Sequence, residues 1–229
     1  MKARKEKPYY PARLMDTLAK IEEYALVAIC APSGSGKTTA VREYLARRKD
    51  VLRVLWYTSF GERANTSWER ICDLCNQVDP VVVSTLRSLG FPRRETLSIL
   101  AEKIQQVQCD TKTIIVIDNA QMLQSNLSHT LLNALAMHHN EQLHVVVITQ
   151  NPLDTPTKPV SSPDVAYIGT DAFFFSADEA CTYFERNECA LTQNDLQQVM
   201  EHTMGGGCSI APSTAGIPAI GEDPRRSRY

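Results

Sequence analysis

Several things are missing from this sequence, and each absence removes a class of function. No apolar run approaches the ~18 residues that a membrane-spanning helix needs. The first thirty residues carry charges throughout and contain no signal-peptide core, so secretion is not expected and a cytoplasmic location is. No basic stripe is present. The chain has 229 residues and a net charge of -2, and a nucleic-acid-binding domain would ordinarily show clustered positive charge. The short basic stretches at the start (Lys2, Arg4, Lys5, Lys7) and the end (Arg225, Arg226, Arg228) read as solvated termini, so direct nucleic-acid binding is not expected. Seven cysteines, an odd number in a chain of this length, do not form a disulfide framework. Cys72 and Cys75 make a lone C-x-x-C with no second pair and no His at ligand spacing, short of the four ligands a structural zinc requires. There is no internal repeat.

What remains is the composition of a folded protein, with 43% hydrophobic and 22% charged residues, enough for one well-buried α/β domain. Short β-rich runs alternate with amphipathic helical stretches, as in a parallel sheet flanked by helices. Strands are expected at Ala25–Ala31, Val51–Thr58, Thr113–Asp118, Leu143–Thr149 and Val165–Gly169. Several are continuously apolar, as strands buried on both faces are. Helices are expected from Lys37 to about Arg48, from Thr66, over Thr96–Val107, over Asn126–His138, from Ser176 through Phe184 and from Thr192 to about Met204. Two capping boxes are legible, Thr66 with Glu69 and Ser176 with Glu179. Four prolines from Pro152 to Pro163 forbid helix or central strand there. His138 and His139, adjacent near a helix end, do not share a face and suit the negative end of the helix dipole better than a metal. The expected organisation is an N-terminal segment and entry helix over 1–24, a nucleotide-binding domain over 25–206, and a disordered tail over 207–229, rich in Gly, Pro, Ser and Arg.

The strongest motif is A-P-S-G-S-G-K-T-T, from Ala31 through Pro32, Ser33, Gly34, Ser35, Gly36, Lys37 and Thr38 to Thr39. It follows the phosphate-loop pattern G-x-x-x-x-G-K-[ST] with Ala31 in the first glycine position. It comes after an apolar strand and opens a helix, the context the pattern requires. Glycines let successive backbone N–H groups turn inward around phosphate oxygens, and the helix directs its positive end at the same point. Lys37 is placed to reach the β/γ-phosphates, Thr38 to ligate Mg²⁺, and Thr39 to add a phosphate contact. The second motif, I-I-V-I-D, ends in Asp118, a candidate Mg²⁺ ligand at the carboxyl end of the sheet. Asn119 follows, where hydrolytic ATPases often carry a carboxylate. An amide orients water but accepts no proton, and loss of a general base costs on the order of 10²–10⁴ in rate. Thr149 and Gln150 close the fourth strand where a γ-phosphate sensor would sit; for Gln150 a sensing hydrogen bond and an ordinary loop residue are equally open. The expected ligands are therefore ATP or ADP with Mg²⁺. Arg93 and Arg94 form the doublet that a kinase or transferase lid could use.

Beyond the two motifs, the sequence resembles the N-terminal ATPase domain of the STAND class, in particular MalT-like regulators of the large LuxR type. The pieces, in order, are P-A-R-L (Pro11–Leu14), the phosphate loop, V-L-W-Y-T (Val54–Thr58), I-I-V-I-D-N-A-Q (Ile114–Gln121), H-V-V-V-I-T-Q (His144–Gln150) and F-S-A-D-E-A (Phe175–Ala180). The resemblance implies a P-loop NTPase fold with a five-stranded parallel sheet of order 5-1-4-3-2 and helices on both faces. It implies a nucleotide switch in transcription regulation that self-associates with ATP, and it implies that Arg13 lies near the nucleotide. The family usually has a second Asp at Asn119 and an Arg at Gln150, so hydrolysis is expected to be weak or absent. After Met204-Gly205-Gly206 the family pattern stops, and a truncation is the corresponding expectation.

Overall fold

The computed structural model describes residues 8–123, 132–138, 140–150, 163–189 and 191–205. The 207–229 tail, both basic termini, His139, most of the Pro152–Pro163 loop and the first part of the helix expected over Asn126–His138 lie outside the described residues. In chain order the elements are α1 (Ala12–Leu18), β1 (Leu26–Cys30), α2 (Lys37–Ala46), β2 (Arg53–Thr58), α3 (Ala64–Cys75), α4 (Pro80–Leu89), α5 (Leu97–Gln105), β3 (Thr113–Asp118) and β4 (Leu143–Thr149). A helical stretch, α6, is described over 132–136 between β3 and β4. Then follow β5 (Val165–Ile168), α7 (Ala177–Arg186) and α8 (Gln193–Gly205).

The strands form one five-stranded sheet of order β2-β3-β4-β1-β5, parallel throughout. This is the expected 5-1-4-3-2. Side-chain alternation divides the core between the two faces. Leu55, Ile115, Ile117, Leu143, Val145 and Val147 join the cluster that holds α3, α4 and α5. Val27, Ile29, Ile114, Val116, Val146 and Ile148 join the cluster that holds α1 and α2. Two-sided burial explains why β1, β3 and β4 read as unbroken apolar runs. Among the described residues no helix is long and apolar enough to cross a membrane.

Two expectations about helices need correction. Thr66 does not cap α3. The helix begins at Ala64 with Arg63 in the cap position and no side-chain cap bond, because Ala64 is buried in the core and draws the first turn inward. Helix α4 was not anticipated; its run of three valines has weak helix propensity. It is stabilised at its start by the Asp79 carboxylate, which accepts from the Val81 and Val82 N–H groups, with Pro80 at the first helical position. The other Asp79 oxygen accepts from the Gln108 N–H at 3.0 Å, tying α4 to the segment entering β3. The second capping box is present as expected: Ser176 accepts from Glu179 N–H, and the Glu179 carboxylate accepts from Ser176 N–H.

Candidate nucleotide-binding site

Strand register brings the site together. Cys30 pairs with Thr149, and Thr58 pairs with Asp118. The phosphate loop, Asp118 and the end of β4 therefore emerge side by side at the carboxyl edge of the sheet, the usual ligand side of an open α/β fold. The loop turns through two left-handed glycines, Gly34 at φ 81° and Gly36 at φ 79°, a conformation a Cβ would strain. Ser35 N–H donates to Pro32 C=O at 3.3 Å, and Ala31 N–H donates to Thr149 C=O at 3.4 Å. Gly36 is the N-cap of α2, so the first-turn amides, which have no partner within the helix, open toward the loop. Pro32, Ser33 and Gly34 are exposed at its rim, and Thr39 is half-buried behind it.

Lys37 is buried at 7% exposure, and its Nζ donates to the Pro32 carbonyl at 3.2 Å. Burial lowers its pKa from the ordinary lysine value, partly offset by Asp118 and Cys30. A desolvated ammonium of this kind gains most from a nearby anion. Thr38 Oγ1 donates to Asp118 Oδ1 at 3.1 Å, and the same oxygen accepts from Asn119 N–H at 3.0 Å. The hydroxyl and the carboxylate are hard oxygen donors facing one another beside the loop, the donor set that suits Mg²⁺. Asn119 has φ 56°, a left-handed position that Asn and Asp tolerate, and it turns the chain sharply out of β3.

Two hydroxyls are buried here: Ser35, within the expected phosphate loop, and Thr149, which the sequence reading passed over in favour of Gln150. Ser35 and Thr149 are each 1% exposed, and neither side-chain oxygen has a hydrogen-bond partner among the described residues. Thr149 had a readable signal: it is the polar residue that closes an otherwise apolar strand. The neighbouring Gln150 is exposed, and its backbone N–H donates to Gln121 Oε1 at 3.2 Å. Arg13 has partners within the protein. Its guanidinium donates to both Glu179 carboxylate oxygens at 3.2 and 3.1 Å and to Phe174 C=O at 2.9 Å. It thereby joins α1 to the start of α7. Arg93 lies in the α4–α5 connection, where its backbone N–H donates to Thr96 Oγ1.

A family model described as an AAA domain matches residues 21–155. The fold is similar to that of the Walker-type ATPase paby2304 of Pyrococcus abyssi, at 14% identity and TM-score 0.51, covering 90% of this chain and 67% of that one. It is also similar to Drosophila ORC bound to DNA, at 14% identity and TM-score 0.55, covering 93% of this chain and 55% of that one. Cdc6p from Pyrobaculum aerophilum matches at 19% identity and TM-score 0.47, covering 85% of this chain and 56% of that one. A search of curated proteins gives no match. At these identities the structural likeness is one of fold, and the chain spans 55% to 67% of the length of these structures. A phosphate loop opening α2, an acid at the end of β3 and a match across more than half the sequence lead to one conclusion: this is a P-loop ATPase-type nucleotide-binding domain, and the chain belongs to the AAA domain family.

Proposed function

We propose that the chain is an ATP- and Mg²⁺-binding switch module with weak or absent hydrolysis, serving a regulator of the MalT-like, large LuxR type. The observation that carries the site is the 3.1 Å contact between Thr38 and Asp118 beside the buried Lys37. In this reading the backbone from Ala31 to Gly36 surrounds the phosphates, with Ser35 turning its hydroxyl to them and Thr39 adding a contact. Lys37 neutralises the β/γ-phosphates. Thr38 and Asp118 hold the metal, which neutralises phosphate charge when bound. Asn119 orients water without taking its proton, so turnover is slow. Thr149 contacts the γ-phosphate, because a buried hydroxyl without a partner at the mouth of a site has hydrogen-bonding capacity reserved for a ligand. Gln150, exposed beside it, is a secondary candidate for the same contact.

A switch releases its signal through occupancy, and self-association in the ATP state is the output this reading assigns. The net charge of -2 favours a protein partner over nucleic acid. The test combines calorimetric affinity, steady-state turnover and sedimentation velocity with ATP and with ADP. The expected result is tight ATP binding, turnover far below that of a working ATPase and a larger species with ATP. Turnover of several per second would remove the weak-hydrolysis reading, and identical sedimentation with both nucleotides would remove the assembly reading.

A further inference from the structure

Strand β4 is held unequally at its carboxyl tip. On the β1 side its pairing runs to the end, Cys30 with Thr149, and Ala31 N–H adds a bond to the Thr149 carbonyl. On the β3 side the register stops earlier, at Ile117 with Val147. Asp118 has a partner on β2 but none on β4. Beyond that point a side chain replaces the missing ladder bond. Asn119, in its left-handed conformation, turns the chain into a short 3-10 segment, Ala120–Met122. That segment is closed by Met122 N–H to Asn119 C=O at 2.8 Å and Leu123 N–H to Ala120 C=O at 3.1 Å. It places the half-buried Gln121 against the tip of β4, where its Oε1 accepts from Gln150 N–H at 3.2 Å.

We infer that Gln121 is a positioning residue for nucleotide discrimination: its carboxamide fixes the Thr149–Gln150 tip against the Asp118–Asn119 turn and so sets where the Thr149 hydroxyl stands relative to the metal-binding pair. This rests on the γ-phosphate contact proposed for Thr149. Asp118 Oδ1 is already fixed by Thr38 and Asn119, so one side of the site is rigid without Gln121. The other side, the hydroxyl of Thr149, has no hydrogen-bond partner among the described residues and depends on its backbone for placement. ADP, which has no γ-phosphate, does not use that hydroxyl, so loss of Gln121 affects ATP and spares ADP.

The experiment is calorimetric titration of the full chain with ATP and with ADP, each with Mg²⁺, for wild type, Gln121→Met, Gln121→Asn, Thr149→Val and the Gln121→Met/Thr149→Val double variant. Met keeps the length and removes the acceptor; Asn keeps the amide and shortens its reach. Both single Gln121 variants are expected to lower the ratio of ATP to ADP affinity on the order of 5- to 10-fold, the scale of one lost hydrogen bond. ADP affinity stays at the wild-type value, which a general loss of structure would not allow. The double variant is expected to match Thr149→Val alone. A lowered ratio in Thr149→Val with wild-type ratios in both Gln121 variants overturns the Gln121 assignment and leaves Thr149 standing. An unchanged ratio in Thr149→Val overturns both, and additive losses in the double variant overturn action through Thr149.

Discussion

The two ends of the sheet treat their buried and half-buried charged side chains differently. At the amino end the half-buried Glu22 is matched. Glu22 accepts from Tyr44 Oη at 2.5 Å and from Arg48 at 2.8 Å, and its backbone carbonyl accepts from Lys112 Nζ at 3.0 Å. Burial alone would raise the Glu22 pKa, but the bonds from Arg48 and Tyr44 outweigh it and hold the carboxyl below its ordinary range. At the carboxyl end two hydroxyls, Ser35 and Thr149, are buried with no partner among the described residues, and Lys37 carries a desolvated ammonium. Folding tolerates such groups at a cost of about 1–3 kcal/mol each, and beside the phosphate loop they stand where a ligand can satisfy them.

That contrast can be broken or sharpened by experiment. The largest expected effect is at the carboxyl end. Asn119→Asp supplies the missing base at a position whose left-handed φ of 56° Asp accepts, and ATP turnover should rise on the order of 10²–10⁴. An unchanged rate would show that another step limits hydrolysis. Next, Asp118→Asn should reduce the gain in ATP affinity that Mg²⁺ confers by about 10- to 100-fold and leave Mg²⁺-free binding intact, as read by titration with and without chelator. At the amino end, Glu22→Gln should leave nucleotide affinity alone and lower stability by about 1–3 kcal/mol, read from urea unfolding. A change in ATP affinity would show that the two ends are coupled.

The smallest effect is a pH dependence at the amino end. His144 is buried, and its Nδ1 lies 2.8 Å from the Tyr24 carbonyl. A carbonyl only accepts, so Nδ1 carries the proton. Burial lowers the His144 pKa below 6.5, the Tyr24 bond opposes this, and Lys112 adds to it. The unfolded chain therefore takes up a proton near pH 6.5 that the folded chain refuses, and stability falls as pH drops below about 6.5. The Glu22 carboxyl is shifted in the same direction, so its contribution is lost in the same sense but lower, as pH falls below about 4.5, its ordinary value. Unfolding free energy measured from pH 8 to 4 should show the first decline, and His144→Gln should flatten it.

Much of this was legible in advance where one physical constraint dominated. Strands β3 and β4 begin and end where the apolar runs do, because both faces are buried and polar residues mark the edges. The phosphate loop was legible because left-handed turns demand glycine at Gly34 and Gly36. Helix α4 was not, since three consecutive valines carry weak helix propensity; Asp79 followed by Pro80 was the overlooked signal. Thr66 matched a capping pattern, but the burial of Ala64 decided where α3 starts. At the end of β4 the reading fell on Gln150 rather than Thr149, because which side chain turns inward depends on pleat and register. The pairing of Arg13 with Glu179 joins distant parts of the chain and leaves no local trace.

The most direct test of the account is calorimetric titration of wild type and Lys37→Ala with ATP in the presence of Mg²⁺. Removing a buried ammonium that faces phosphate should weaken binding by roughly 100-fold while the melting temperature of the ligand-free protein holds or rises, since a desolvated charge has been taken away. Equal ATP affinity in the two proteins would contradict the claim that this loop grips a polyphosphate.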